Sequence, residues 1–188
     1  MKFLIYGSRE FAQTVIELVA DCGHEVVGCI DDFASGSGVL GTFDEVQQSH
    51  PPGEYAIALA VGYTNLEARW QAWQKIRAAG YAVPALVHPR AYVAGSARVD
   101  AGAMLMAGAL VDVRARIGEI AVVWPGACVS HDSAIGNNCF VSPNATICGY
   151  VELGEHSFVG AGAAVVDHCT VPAGTRVKML SRYTGAKE

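Results

Sequence analysis

The stretch 127-ACVSHDSAIGNNCF-140 sets an imidazole and a carboxylate side by side, His131 and Asp132, inside a run of small and aliphatic residues. A histidine takes up and returns a proton near neutral pH. A neighbouring carboxylate can fix the ring's tautomer and stabilise the imidazolium that forms. The pair therefore suits a general base and its orienting acid, taking a proton from an attacking nucleophile. A solvated turn would carry the same two residues. Adjacent side chains need not bond to each other, so the elements around them decide.

Those elements obey a period of six. Every sixth residue from Val93 to Val177 is Val, Ile or Leu, fifteen in succession. Two places before each stands Ala, Ser, Cys or Thr, with Val151 the one larger member. Neither a 3.6-residue helix nor an alternating strand has this period. It fits a hexapeptide-repeat parallel β-helix, in which three short strands make each triangular coil. The aliphatic residue fills the interior and the small one lets the chain turn. Gly118, Gly136, Gly154 and Gly160, each directly after an aliphatic position, are assigned to tight corners. At eighteen residues per coil the span holds nearly five coils, each rising about 4.8 Å. His131, two places past Val129, falls on an exposed coil edge.

The first half alternates strand and helix signals. KFLIYG is an apolar run ending in glycine, and residues 9–22 put Phe11, Val15 and Leu18 on one helical face. EVVGCIDD and EYAIALAVG are further strands, separated by an irregular stretch and Pro51-Pro52. Thr64 with Glu67 reads as a capping box ahead of Leu66, Trp70, Trp73 and Ile76, with Gly80 as the C-terminal stop. YAVPALV reads as the last strand. The expectation is an α/β Rossmann-like domain over 1–87, a β-helix over 88–178 and a tail over 179–188.

Composition narrows the function classes. A net charge of −5 without a Lys/Arg-rich run argues against nucleic acid as partner. No apolar run reaches the roughly 18 residues of a membrane span, and MKFLIYG reads as a first strand and not a signal segment. Six cysteines without a CxxC spacing read as reduced thiols, which points to the cytoplasm. His168 follows His131 by two coils and one residue, and His156 falls on another edge. Three histidines do not converge on one metal within a single chain, so no metal is expected.

This combination resembles the sialic-acid and nucleotide-4-amino-sugar acetyltransferases of the NeuD/PglD type. The likeness covers essentially the whole chain and rests on Ile30–Asp32, HPRAYV at 88–93, MAGALV at 106–111, HDSAIG at 131–136 and FVGAGAAV at 158–165. It implies a left-handed β-helix, a homotrimer with acetyl-CoA as co-substrate between neighbouring prisms, and a nucleotide-sugar held by the N-terminal domain. By position it makes His131 the base, Asp132 its acid and Gly149 an oxyanion donor through its N–H. Gly160 and Ala161 lie along the pantetheine arm. Gly7, Ser8 and Arg9 approach the diphosphate, and Asp31, Asp32 and Gly62 the nucleoside. Phe140, placed with Gly160 and Ala161 among the acetyl-CoA contacts, stands where many relatives have a second, acetyl-contacting histidine, and Trp124-Pro125 replaces a polar pair. GSREFA carries one glycine where two or three are common. Lys178 and Arg182 fit either the phosphates of coenzyme A or a solvated tail.

The leading expectation is N-acetylation of a nucleotide-linked amino sugar for glycan precursors. The alternatives are sugar O-acetylation, a trimeric zinc carbonic-anhydrase-like protein and a non-catalytic sugar-nucleotide binder.

Overall fold

The computed structural model describes residues 1–185; the last three residues of the expected tail lie outside them. The chain divides into two compact units, Met1–Leu86 and Val87–Glu188.

The first unit is a four-stranded parallel sheet in the order β3-β2-β1-β4. Its strands are β1 (Lys2–Tyr6), β2 (Glu25–Ile30), β3 (Val39–Gly41) and β4 (Tyr55–Leu59). β1 and β4 are apolar on both faces, as a covered parallel sheet requires, and Phe3, Leu4, Ile5, Ile57 and Leu59 have no exposed surface. Helix α1 (Glu10–Asp21) buries Ala12, Val15, Leu18 and Val19, an i, i+3, i+6, i+7 stripe.

Three sequence expectations change here. The irregular stretch before Pro51 contains β3 and a short helix, α2 (Phe43–Ser49). Its cap is a full capping box, with Thr42 N donating to Glu45 Oε2 at 2.8 Å and Glu45 N to Thr42 Oγ1 at 3.4 Å. Helix α3 (Leu66–Ala78) starts not from Thr64 but from Asn65, whose Oδ1 accepts from Ala68 N at 2.9 Å. Its buried face holds Arg69 beside Ala72, Trp73 and Ile76, and the Arg69 Nε donates to Val61 O at 2.9 Å. YAVPALV is not a strand of this sheet: Ala82 makes an isolated bridge to Ala56, and Leu86–Val87 begins the β-helix.

The second architecture is a left-handed parallel β-helix of hexapeptide rungs. Two-residue strands recur every six residues from Leu86–Val87 to Arg182–Tyr183 and form three sheets of five, six and six strands. Residues eighteen apart stack: Val93 on Val111, then Val129, Ile147, Val165 and Tyr183. The aliphatic and small positions form one core, most of it without exposed surface. Each fully buried aliphatic side chain contributes about 2 kcal/mol. The coils run past residue 178, because Tyr183 takes the sixth position that an aliphatic residue fills elsewhere.

The corners also differ from expectation. A left-handed backbone recurs three residues past the aliphatic position, with φ between 50° and 72° from Gly102 to Leu180. Nine of these residues are not glycine. Gly118, Gly136, Gly154 and Gly160 instead serve close approach: a Cβ on Gly136 would lie 2.7 Å from Glu155 N, and one on Gly160 2.5 Å from Met179 N. Among the described residues no helix is long and apolar enough to cross a membrane, and the six cysteines are free thiols.

Candidate active site

Of the left-handed corner positions, one column carries no glycine. Arg114, Asp132, Tyr150 and His168 stand one coil apart with φ of 57°, 59°, 58° and 61°. Aspartate tolerates this backbone through local hydrogen bonds, whereas arginine and tyrosine occupy it at a cost of about 1–2 kcal/mol each. The coils are tied there by Asp132 N to Val113 O (3.0 Å), Tyr150 N to His131 O (3.2 Å) and His168 N to Gly149 O (3.0 Å).

The turned backbone at Asp132 brings its carboxylate back onto its neighbour. His131 Nδ1 lies 2.9 Å from Asp132 Oδ2. From the coil below, Arg114 closes a fork on the same carboxylate, Nε to Oδ1 at 2.6 Å and Nη2 to Oδ2 at 2.8 Å. The Arg114 hydrogen bonds, then that of His131, hold the Asp132 carboxyl far below the usual carboxylate range. An ionised Asp132 accepts from Nδ1–H, which leaves Nε2 with its lone pair. Nε2 makes no hydrogen bond among the described residues, and the His131 side chain is 45% exposed.

From the coil above, Tyr150 meets the imidazole edge-on, centroids 5.3 Å apart at 85°. Tyr150 in turn stacks on His168 at 4.7 Å, and His168 Nδ1 lies 3.1 Å from Asp167. Directly over the ring's position lies Gly149. A Cβ there would stand 2.8 Å from His131 Cε1 and 2.9 Å from Nε2, so only glycine leaves room for this rotamer. The Gly149 N–H has no acceptor among the described residues. Burial and then Asp167 push the neighbouring Cys148 thiol up, so it is no ready nucleophile.

The structure thus brings His131, Asp132 and Gly149 together. Gly160 and Ala161 do not join them. They precede the Gly162 corner, thirty residues from Asp132, and one coil of eighteen plus two-thirds of another places them on a different edge of the prism. Lys178 is exposed one coil above Gly160. Phe140 has no exposed surface to give to coenzyme A; it sits in the row Val122–Phe140–Phe158. His156 bonds to Asn138 on another edge at 2.9 Å. Among the described residues no three His, Cys, Asp or Glu side chains gather into a metal site.

In the first unit Gly7, Ser8 and Asp31 meet at the ends of β1 and β2, and Gly62 follows β4. Gly7 has φ 112° and packs so tightly that a Cβ would stand 2.9 Å from Ala60 O. Asp31 accepts from Ser8 Oγ (2.5 Å) and N (3.1 Å) through one oxygen and from Phe33 N and Ala34 N (both 2.9 Å) through the other. Burial pushes its carboxyl up, but these bonds outweigh it and hold it below the usual range. With four donors, Asp31 has no acceptor site left for a ligand; it organises the loop. Asp32 is likewise engaged by Phe43 N (2.8 Å), Tyr6 OH (2.6 Å) and Lys75 Nζ (3.4 Å). Arg9 caps α1 with no side-chain bond to the helix, and Gly62 lies close to Phe11.

Residues 2–76 match the PglD N-terminal domain, and residues 114–149 and 132–167 match the bacterial transferase hexapeptide (six repeats). The chain thus carries a PglD-type N-terminal domain followed by hexapeptide repeats, the combination of the NeuD/PglD-type proteins that it resembles. Solved structures agree over nearly the full length of the chain. It is similar to the acetyltransferase domain of PglB from Neisseria gonorrhoeae FA1090, at 28% identity and a TM-score of 0.89, covering 100% of this chain and 93% of that one. The same PglB domain in complex with acetyl coenzyme A matches at 29% identity and 0.84, covering 95% and 88%. A mutant of perosamine N-acetyltransferase from Caulobacter crescentus, in complex with CoA and GDP-perosamine, matches at 27% identity and 0.91, covering 98% and 89%. A search among curated proteins found no significant match.

Arg114 and Tyr150 are the site residues that the sequence reading missed. The signal was present: both stand eighteen residues from Asp132, one below and one above.

Proposed function

We propose that this protein is an acyltransferase that moves the acetyl group of acetyl-CoA onto the amino group of a nucleotide-linked sugar, with His131 as general base. The observation that carries the reading is the His131–Asp132 bond at 2.9 Å with Nε2 left open, on the edge of a hexapeptide prism. Its support is the similarity over the whole chain to acetyltransferases solved with CoA, acetyl-CoA or GDP-perosamine.

In this reading the amine nitrogen attacks the thioester carbonyl while Nε2 takes its proton. The oxyanion of the tetrahedral intermediate meets the Gly149 N–H, a donor worth a few kcal/mol, about 2.7–4 where such groups have been removed. Collapse breaks the C–S bond, and the imidazolium returns the proton to the coenzyme A thiolate. Asp132 holds the ring's tautomer and stabilises its charged form. No covalent enzyme intermediate is needed.

His131 and the Gly160–Ala161 segment lie on different edges of one prism. A cyclic homotrimer would set one chain's base against another chain's coenzyme bed. The first unit would hold the nucleotide through Arg9, with Ser8 and Asp31 bonded to each other to shape the loop beside it, and the six free thiols fit a cytoplasmic setting.

The test is turnover of acetyl-CoA with matched nucleotide sugars bearing an amino or a hydroxyl group at the same carbon. Transfer to the amino sugar alone is expected. Transfer to the hydroxy sugar alone would replace N- by O-acetylation, and neither transfer nor coenzyme A binding would overturn the reading.

A further inference from the structure

Resting on the reading of His131 as base, we propose that Arg114 is its positioning residue, holding Asp132 against Nδ1 and offsetting part of the carboxylate charge that the ring faces. The family likeness assigns nothing to this position.

First, the fork is complete. Both Arg114 contacts are short, 2.6 and 2.8 Å, and they engage both oxygens of Asp132. Oδ2 is shared, accepting from Arg114 Nη2 at 2.8 Å and facing His131 Nδ1 at 2.9 Å. A planar guanidinium can meet both oxygens in this way, whereas an ammonium is a point charge.

Second, the arginine is held in place. Its backbone is left-handed at φ 57°, and its N–H donates to Ser96 Oγ at 3.1 Å. Glycine would fit that backbone without strain. A long cation stands there instead, on the edge that carries His131.

Third, the charges around the ring leave Arg114 with a distinct electrostatic task. Asp132 and Arg114 face His131 at and below its coil, with Asp112 behind Arg114. Above stand Tyr150 and Cys148, then His168 paired with Asp167. Without its guanidinium, Asp132 would turn its whole charge toward Nδ1, which favours the protonated ring. With the fork closed, Asp132 still orients the ring but stabilises its charged form less.

The test starts from R114G, which removes the fork and relieves the left-handed backbone, so folding is preserved; R114K keeps a charge without the fork. The His131 ring resonances of the whole protein, labelled at histidine carbon and nitrogen, are titrated without substrate in wild type, R114G, R114K, D132N and R114G/D132N. Removing a cation favours the protonated ring. The expected midpoint in R114G therefore moves to higher pH by about half a unit or more, and the acid limb of kcat/KM moves with it while KM for acetyl-CoA holds. R114K restores part of the shift, and R114G adds little to D132N because the effect passes through Asp132. An R114G midpoint equal to wild type would overturn the inference. So would an R114G shift that persists undiminished in the D132N background, because Arg114 would then act on the ring directly. Retained turnover in H131A would instead end the reading of His131 as base, and the titration would still measure the Arg114–Asp132–His131 coupling.

Discussion

Gly149→Ala separates the site from the fold. The alanine Cβ would stand 2.8 Å from His131 Cε1, 2.9 Å from Nε2 and 3.3 Å from Nδ1. Ordinary carbon contacts lie at about 3.5–4.0 Å, so one partner must retreat by roughly 0.7–1 Å. The atoms in the way end a side chain that is 45% exposed, and the imidazole is the part that gives. Swinging it breaks a 2.9 Å bond to Asp132 and the edge contact with Tyr150. The lost interactions are half-exposed, so stability changes by no more than about 1 kcal/mol. A misplacement of about 1 Å at a reacting group costs about 10²-fold in rate. The assay is kcat/KM for acetyl transfer beside a thermal melt of the same preparation. The expected result is a loss of about 10²-fold with the melt almost unmoved. Activity within about threefold of wild type would refute the packing of His131 over Gly149.

Gly136→Ala is the contrasting case: its Cβ meets backbone, Glu155 N at 2.7 Å and Leu153 O at 2.8 Å. Backbone cannot rotate away, and denaturant unfolding should show a loss of about 2 kcal/mol or more. Asp132→Asn keeps a residue that tolerates the left-handed corner but removes the charge, and kcat should fall at least about 10²-fold across the pH range while the fold persists. Asp31→Asn leaves Ser8, Phe33 and Ala34 donors poorly met and should cost about 1–3 kcal/mol at pH 7. The sign with pH follows from carboxyls held low by the fold. Asp31 and Asp32 contribute above the unfolded value near about 3.9 and lose their contribution as pH falls through the folded one. Acid melts of wild type should therefore steepen below about pH 4, and Asp31→Asn should flatten that limb.

The prism was legible because its interior admits one class of side chain at every sixth place, a demand that local sequence meets fifteen times in succession. His131 was legible for the converse reason: a polar residue past the inward position had to lie on an edge. The ends were not, since Leu86–Val87 belongs by type to either architecture and Tyr183 breaks the aliphatic rule while keeping its place. The glycines misled because two demands share one residue type. Close approach requires glycine at Gly136 and Gly160, whereas the left-handed corners accept Arg114, Asp132 and Tyr150. Phe140 and Asp31 show the limit of position alone. A period assigns Phe140 to the outer face without saying that it is buried there, and IDD does not reveal that Asp31 spends all four lone pairs on its own chain.

The central claim is that one imidazole accepts the substrate's proton. Its most direct measurement is single-turnover acetyl transfer by H131A beside wild type, with coenzyme A affinity determined on the same samples. The account predicts a rate lower by at least about 10³-fold, in the upper range of what general-base catalysis supplies, with affinity for coenzyme A unchanged. H131A transferring acetyl groups at a rate near that of wild type would contradict it.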